Sequence, residues 1–466
     1  MKLFRFACLV LSRLAVGIAA GAAGFSAETA RPNIVFILAD DLGYGDLGCY
    51  GQKQLATPHI DALAKRGMRF TNYYAGNASC APSRSSLMTG LHTGHVRHRD
   101  NRRFVYSYGF SPDDVTFAEV LRGAGYATAI SGKWHLGDRA DSQDIPHHHG
   151  FDYAYCIGHP YPDRGWEHWP SHVFVNGVQT PIPENGGGRQ GRYMDDLYTD
   201  AALGFIREKR AGPFVVLLSL QGVHAPMDGV VSKTYAERDW PEPEKVFASM
   251  LERVDESVGR VVATLRELGL EEKTVVFFSS DNGPHNEGGH KHDFFASNGP
   301  WRGHKFQFYE GGLRVPLIAA WPGTIAAGAT SEHVSAMWDM LPTFAELGEV
   351  KEATAVDGIS LVPTLRGRGA QRTHTYLYWE SQDAKGSQAL RWKNWKAVKR
   401  GVSGGSGTAK LELYDLATDL GEKRDVAAAE PDVVRQIEAL LREAHVASTI
   451  TPLLPGEAAT EFIQSN

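Results

Sequence analysis

"NIVFILADD", Asn33 to Asp41, is a short apolar run that stops abruptly on two carboxylates. A run without polar alternation is expected of a strand covered on both faces, as in a parallel sheet. The same pattern recurs along the chain. "TFAEVLRGAGYATAISGKWHLG" reads as helix, glycine turn and strand, followed by Lys133 and His135. "PFVVLLSLQGVHAP" is a second buried-type strand that runs on to His224, and "TVVFFSSDNG" is a third that ends at Asp281 and Asn282. Before the last of these, Phe247, Met250, Leu251, Val254, Val258, Val261, Val262, Leu265 and Leu268 share one helical face. In parallel α/β sheets, ligands bind beyond the carboxyl ends of the strands. Four such ends here carry Asp-Asp, Lys-x-His, His and Asp-Asn.

The character changes after about Gly367. "RTHTYLYWE", "SQALRWKNWKAVKR" and "LELYDL" are short alternating segments, broken by the turn "GVSGGSGTAK" and followed by a helical pattern over "PDVVRQIEALLREAHV". The fold class is therefore α/β: a large, mostly parallel sheet flanked by helices over 31–367, and a smaller C-terminal α+β domain with an antiparallel sheet over 368–466. No internal repeat is visible.

With 466 residues, 22% of them charged, and a net charge of −6, the chain has no basic field for nucleic acid. Its first residues have cations at Lys2 and Arg5, an apolar run, then small residues. That is the layout of a secretory signal, expected over 1–27 with cleavage between Ala22 and Ala30. Arg13 interrupts the run, which is too short and too polar for a membrane span. An exported protein, periplasmic or extracellular, is expected. Removal of Cys8 leaves Cys49, Cys80 and Cys156, an odd count; Cys49 and Cys156 either pair or remain separate small residues.

Asp40, Asp41, Asp281 and Asn282 make a hard, all-oxygen ligand set that suits Ca²⁺ first and Mg²⁺ second. An Asp pair alone serves equally well as a helix cap; the second pair at another strand end favours a metal. Lys133, His224 and Lys305 are donors suited to a tetrahedral oxyanion. "CAPSRSSLMTG", Cys80 to Gly90, adds a thiol, a proline and an arginine at close spacing.

This last stretch resembles the C-x-P-x-R…T-G motif of the type I sulfatases. "RPNIVFILADDLGYGDLGCYG", "GKWHLG", "SSDNGPH", "GHKFQFYEGGLRVPLIAAWPG" and "LELYDLATDLGEKRDV" resemble other stretches of that family, in family order. The resemblance implies an alkaline-phosphatase-like sandwich fold. It also implies that a separate maturation enzyme oxidises Cys80 to formylglycine, with Pro82 and Arg84 completing the recognition pattern. The hydrated aldehyde would attack sulfur and displace the alcohol, leaving a covalent sulfate; its second hydroxyl would then expel sulfate. By the same resemblance Asp40, Asp41, Asp281, Asn282 and the modified Cys80 hold Ca²⁺. Arg84 and Lys133 stabilise the hydrate, His135 is the base for its collapse, and His224 and Lys305 hold sulfate and assist the leaving oxygen. The sequence departs from the common pattern at His304 and in the tail segment "YDLATDLGEKRDV".

Two stretches are candidates for the substrate pocket. "HTGHVRHRDNRRF" supplies Arg97, His98, Arg99, Asn101, Arg102 and Arg103, either a solvated basic loop or a grip for a second anionic group. "HHHGFDYAYCIGHPYPDRGWEHWPSHVF" is rich in aromatic residues and includes His159. The expected substrate is a sulfated saccharide or aryl sulfate. A phosphodiester or phosphonate monoester hydrolase is the enzymatic alternative, and a silent module for binding sulfated glycans is the non-enzymatic one. The complete set of chemical residues argues against the silent module.

Overall fold

All seven residues of the strand Asn33–Ala39 (β1) are buried. Its odd and even side chains enter two different cores, which is why the run shows no alternation. Ile34, Phe36 and Leu38 pack with Phe117, Phe151 and Phe344 on one face. Val35, Ile37 and Ala39 pack with Tyr198, Phe205, Phe247 and Val254 on the other. The computed structural model describes residues 31–101, 109–111, 113–137, 145–157, 168–351, 355–382, 385–404 and 409–458. The expected signal peptide, Arg102, Arg103 and His159 lie outside the described residues.

In chain order the remaining strands are Met68–Phe70 (β2), Tyr73–Tyr74 (β3), Ala127–Gly132 (β4), Tyr153–Cys156 (β5), His172–Val175 (β6), Val178–Pro181 (β7), Phe214–Ser219 (β8), Thr274–Ser280 (β9), Leu317–Ala320 (β10), Ala329–Ser331 (β11), Ser335–Ala336 (β12), Leu377–Ser381 (β13), Ser387–Trp392 (β14), Trp395–Arg400 (β15) and Lys410–Asp415 (β16). Ten of them form one sheet in the order β11-β2-β10-β9-β1-β8-β4-β5-β6-β7. The central run from β9 to β5 is parallel, and β10 and β6 join it antiparallel. This is the alkaline-phosphatase-like α/β arrangement.

Register makes the site. Ala39 pairs with Ser280, Leu38 with Ser219, and Gly132 with Ser219. The chain therefore leaves β1, β4, β8 and β9 along one edge, releasing Asp40, Lys133, Leu220 and Asp281 side by side. Helices Met194–Lys209 and Glu242–Glu267 cover the second face. The latter begins near Pro243, where a proline fits the first turn, and buries Phe247, Met250, Leu251, Val254, Val258, Val261 and Leu265 of the predicted stripe, while Val262 and, just past its end, Leu268 are half-buried.

One helix was not foreseen. Cys80–Thr89 is helical, and all ten of its residues are buried. A helix covered on every side has no polar face and so shows no amphipathic period. It stops at Gly90, whose φ of 71 is the left-handed conformation usual after a helix end.

Strands β13 to β16 form a separate antiparallel sheet in sequence order. Trp379 and Tyr414 on one face meet Tyr74, Phe308 and Trp338. Tyr378, Leu390 and Leu413 on the other meet Ile437, Leu440 and Leu441 of the helix Pro431–Ala444. Buried charge reinforces the junction, with Lys396 Nζ 2.9 Å from Glu310 Oε1 and Arg314 2.8 Å from Glu310 Oε2. Arg31–Asn466 forms one compact unit. Cys49, Cys80 and Cys156 are free thiols, so the possible Cys49–Cys156 pair is not made. No described helix is long and apolar enough to cross a membrane.

Candidate active site

Cys80 is the first residue of its helix, preceded by extended Ser79. Its Sγ lies 3.4 Å from Asp40 Oδ1 and 3.9 Å from Asp41 Oδ1. Asn101 Oδ1 accepts from Ala81 N–H at 3.2 Å, satisfying one of the open donors of the first helical turn. Asn101 is thus a support for the helix that carries Cys80. Burial pushes the Cys80 thiol well up; Lys133 opposes this and Asp40 reinforces it. As a plain thiol it is a poor nucleophile, because the thiolate is the reactive form.

Arg84, one turn further along, is fully enclosed. Its Nε bonds Asp281 Oδ2 at 2.9 Å and its Nη2 meets the same oxygen at 2.7 Å. Nη1 donates to the Lys133 carbonyl at 3.0 Å and to Ser219 Oγ at 2.6 Å. The fork joins the ends of three strands, a task for which the rigid guanidinium is suited and an ammonium is not. Lys133 Nζ bonds Asp40 Oδ2 at 2.6 Å. His135, two residues on, is buried in a left-handed backbone conformation with φ 60.

Across the site, Lys305 Nζ bonds Asp41 Oδ2 at 2.8 Å and Glu287 Oε2 at 2.7 Å, and sits 3.4 Å from His224 Nε2. Burial raises Asp41, but Lys305, then His224, outweigh it and hold the carboxyl far below its usual range. Burial, opposed by Asp41 and reinforced by Lys305, pulls His224 down to about 3, so its imidazole is neutral. His224 Nδ1 faces the Ala225 carbonyl. A carbonyl only accepts, so Nδ1 carries the proton and Nε2 presents a lone pair to Lys305. The loop is set by Asp195, which accepts from Gln221 N–H at 2.8 Å and Gly222 N–H at 3.0 Å.

The donor set fits a hard cation. Asp40, Asp41, Asp281 and Cys80 bring one ligand atom each within 4.8 Å of one another, all buried. Asn282 Nδ2 bonds Asp41 Oδ1 at 2.7 Å, while its buried Oδ1 has no hydrogen-bond partner. Burial, then the field of Asp40, lifts Asp281 to about 6. Three crowded carboxylates and an unpartnered amide oxygen are the surroundings in which a divalent oxygen-seeking ion is favoured over zinc.

Most of the sequence-predicted residues converge here: Asp40, Asp41, Cys80, Arg84, Lys133, His224, Asp281, Asn282 and Lys305. Arg99 does not. Its Nη1 is bound to Glu380 Oε1 at 2.7 Å and to the Val446 carbonyl, and its side chain is 6% exposed. It joins this loop to the C-terminal sheet through Glu380 and the Val446 carbonyl. Ser219, Asp195 and Glu287 were missed. Ser219 and Asp195 are ordinary residues locally, and Glu287 lies in a polar stretch with no spacing signal. Only the strand-end position of Ser219 could have indicated it.

A thiol at a buried helix start, ringed by carboxylates and two lysines at the carboxyl edge of this sheet, defines a hydrolase of anionic esters on an alkaline-phosphatase-like scaffold. The chain belongs to the sulfatase family, whose model matches residues 32–350. The model for the C-terminal part of N-sulphoglucosamine sulphohydrolase matches residues 300–447. Arylsulfatase A of Homo sapiens is 34% identical, over 90% of this chain and 89% of that protein. N-acetylgalactosamine-6-sulfatase of Sus scrofa is 32% identical, over 94% and 90%. The solved structure of Ps i-CgsB in complex with k-i-k-neocarrahexaose superposes with a TM-score of 0.76 at 25% identity, covering 93% of this chain and 95% of that one. The chain is accordingly an enzyme that hydrolyses sulfate esters.

Proposed function

We propose that this sulfatase removes sulfate from sulfated saccharides, using formylglycine made from Cys80 and Ca²⁺ held by Asp40, Asp41, Asp281 and Asn282. The observation that carries the proposal is the position of Cys80: a buried thiol whose pKa burial pushes up, with Asp40 and Asp41 beside it at 3.4 and 3.9 Å and with Lys133 and Lys305 bonded to those carboxylates. When present, the modified residue and the ion supply a hydrated-aldehyde nucleophile and Lewis-acid polarisation of the ester. Saccharide substrates are supported by the names of the relatives and by the oligosaccharide complex of Ps i-CgsB.

The chain's own residues orient and neutralise. Arg84 ties Asp281 to the ends of β4 and β8, so the side chain at position 80 faces a fixed wall. Lys133 and Lys305, on opposite sides, offer ammonium donors to sulfate oxygens. His224 Nε2 and Lys305 Nζ share one proton, which resides on the lysine; this ammonium is the donor placed to serve a departing alkoxide. His135, buried two residues after Lys133, would serve as the general base. Residues 1–27 serve as a signal peptide, the enzyme is exported, and a formylglycine-generating enzyme is its maturation partner.

The test is turnover of 4-nitrophenyl sulfate against 4-nitrophenyl phosphate and a phosphonate monoester, by protein coexpressed with a maturation enzyme. Sulfate should be the best substrate by orders of magnitude. Preference for the phosphorus esters would move the reaction to the phosphodiester or phosphonate class.

A further inference from the structure

Lys305 has two neighbours that sulfate cleavage itself does not use. Its Nζ bonds Glu287 Oε2 at 2.7 Å and lies 5.2 Å from the centre of the Phe306 ring. Lys305 is buried, but the Glu287 side chain is 42% exposed and Phe306 is 47% exposed. Both are therefore solvent-facing side chains in contact with a buried residue of the site.

Phe306 is unusual twice over. Its backbone is left-handed, with φ 69, a conformation that disfavours bulky residues. Its N–H donates to the Ala78 carbonyl at 2.7 Å, two residues before Cys80, so the ring is anchored to the loop that leads into position 80. A strained backbone that exposes a large apolar ring gains nothing for folding. Such outliers persist where they serve function. Glu287 Oε1 takes no hydrogen bond from a described residue, and an ionised carboxylate can only accept.

We propose that Phe306 and Glu287 form the subsite for the alcohol part of the substrate. That part is a hydroxyl-bearing ring without a second anionic group beside the ester. Its apolar face lies on Phe306, and a hydroxyl next to the sulfate ester donates to Glu287. The carboxylate repels a neighbouring sulfate or uronate, which makes it an element of rejection as well as recognition. The inference rests on the sulfatase reading and goes beyond it by naming the substrate class.

The experiment uses the matured enzyme with a panel of monosulfated monosaccharides, their disulfated counterparts and 4-nitrophenyl sulfate, a ring without hydroxyls. The wild type should favour monosulfated sugars over the disulfated forms. Glu287→Gln should shrink that preference about 10-fold, since it removes both the charge-assisted hydrogen bond and the repulsion. Phe306→Ala should raise KM about 5-fold for sugars and for 4-nitrophenyl sulfate alike, with Phe306→Trp retaining affinity. Phe306→Gly should raise Tm while losing saccharide affinity, because glycine relieves the backbone. Failure of the wild type to cleave any sulfate ester would reject the sulfatase reading itself. Cleavage of 4-nitrophenyl sulfate but of no monosulfated sugar, preference for disulfated sugars, an equal loss on both classes in Glu287→Gln, or a lowered Tm in Phe306→Gly would each overturn the subsite alone.

Discussion

Arg84→Ala removes the counter-charge on which the carboxylate cluster depends. The guanidinium makes four contacts of 3.0 Å or less, two to Asp281 Oδ2 and one each to the Lys133 carbonyl and Ser219 Oγ, with Asp40 Oδ2 3.8 Å away. Every partner is buried, so solvent cannot replace what is lost. Leaving a buried charge without its partner costs about 3–5 kcal/mol. An unfolding entropy of roughly 2.1 cal/mol/K per residue converts this to a drop in Tm of about 3–5 °C for a chain of this length. Arg84→Lys retains charge but has no fork to span Asp281, Ser219 and the Lys133 carbonyl, so it should recover about half of the loss. Loss of activity alone is ambiguous, because the family resemblance also makes Arg84 part of the pattern read during maturation. Thermal unfolding of protein made without the maturation enzyme isolates the structural term. A Tm for Arg84→Ala within one degree of wild type, on the order of the measurement error, would refute the role assigned to the guanidinium.

Three further outcomes are expected. Arg99→Met should lower stability by roughly 2–4 kcal/mol in urea unfolding, because Glu380 loses a buried partner, and should leave KM for a disulfated saccharide unchanged. Burial, against the opposing pull of Asp357, brings His92 down to about 4 from the ordinary 6.5; between those values the unfolded chain binds more protons, so stability rises with pH through the window and is lost as pH falls from 6.5 toward 4. One such group contributes about 3 kcal/mol, and His92→Asn, which keeps an acceptor for the Gly94 N–H now on His92 Nδ1, should flatten that acid limb when unfolding is followed at successive pH values. Ca²⁺ at about 100 times its Kd should stabilise the protein by about 2.7 kcal/mol, with Mg²⁺ weaker and zinc ineffective, and Asn282→Ala should diminish the shift in calorimetry.

The parts of the fold that were legible in the sequence are those whose signal is local. β1 and the cores of β8 and β9 are near-continuous apolar runs because both faces are covered, and β1, β4 and β9 are each followed by a charged residue, Asp40, Lys133 and Asp281. Asp40, Asp41, Asp281, Asn282, Lys133 and Lys305 could be read from that pattern together with the family resemblance. What escaped notice depends on distant partners. Arg99 looked like part of a solvated or substrate-facing basic run, and Glu380, 281 residues later, neutralises it. The helix Cys80–Thr89 shows no period because it has no wet face. Asp195 holds the loop to His224 through backbone N–H groups, an interaction that no side-chain spacing encodes. Glu287 and Phe306 are unremarkable in sequence and become informative only through exposure, φ and distance to Lys305.

The most direct test of the central claim is to measure sulfate release and the mass of the Cys80 peptide on the same samples, with maturation varied. The account predicts that inorganic sulfate release from a sulfated saccharide rises in proportion to the fraction of that peptide about 18 Da lighter than the cysteine form, and that Cys80→Ala releases none. Full sulfate release by protein whose Cys80 is wholly unmodified would contradict it.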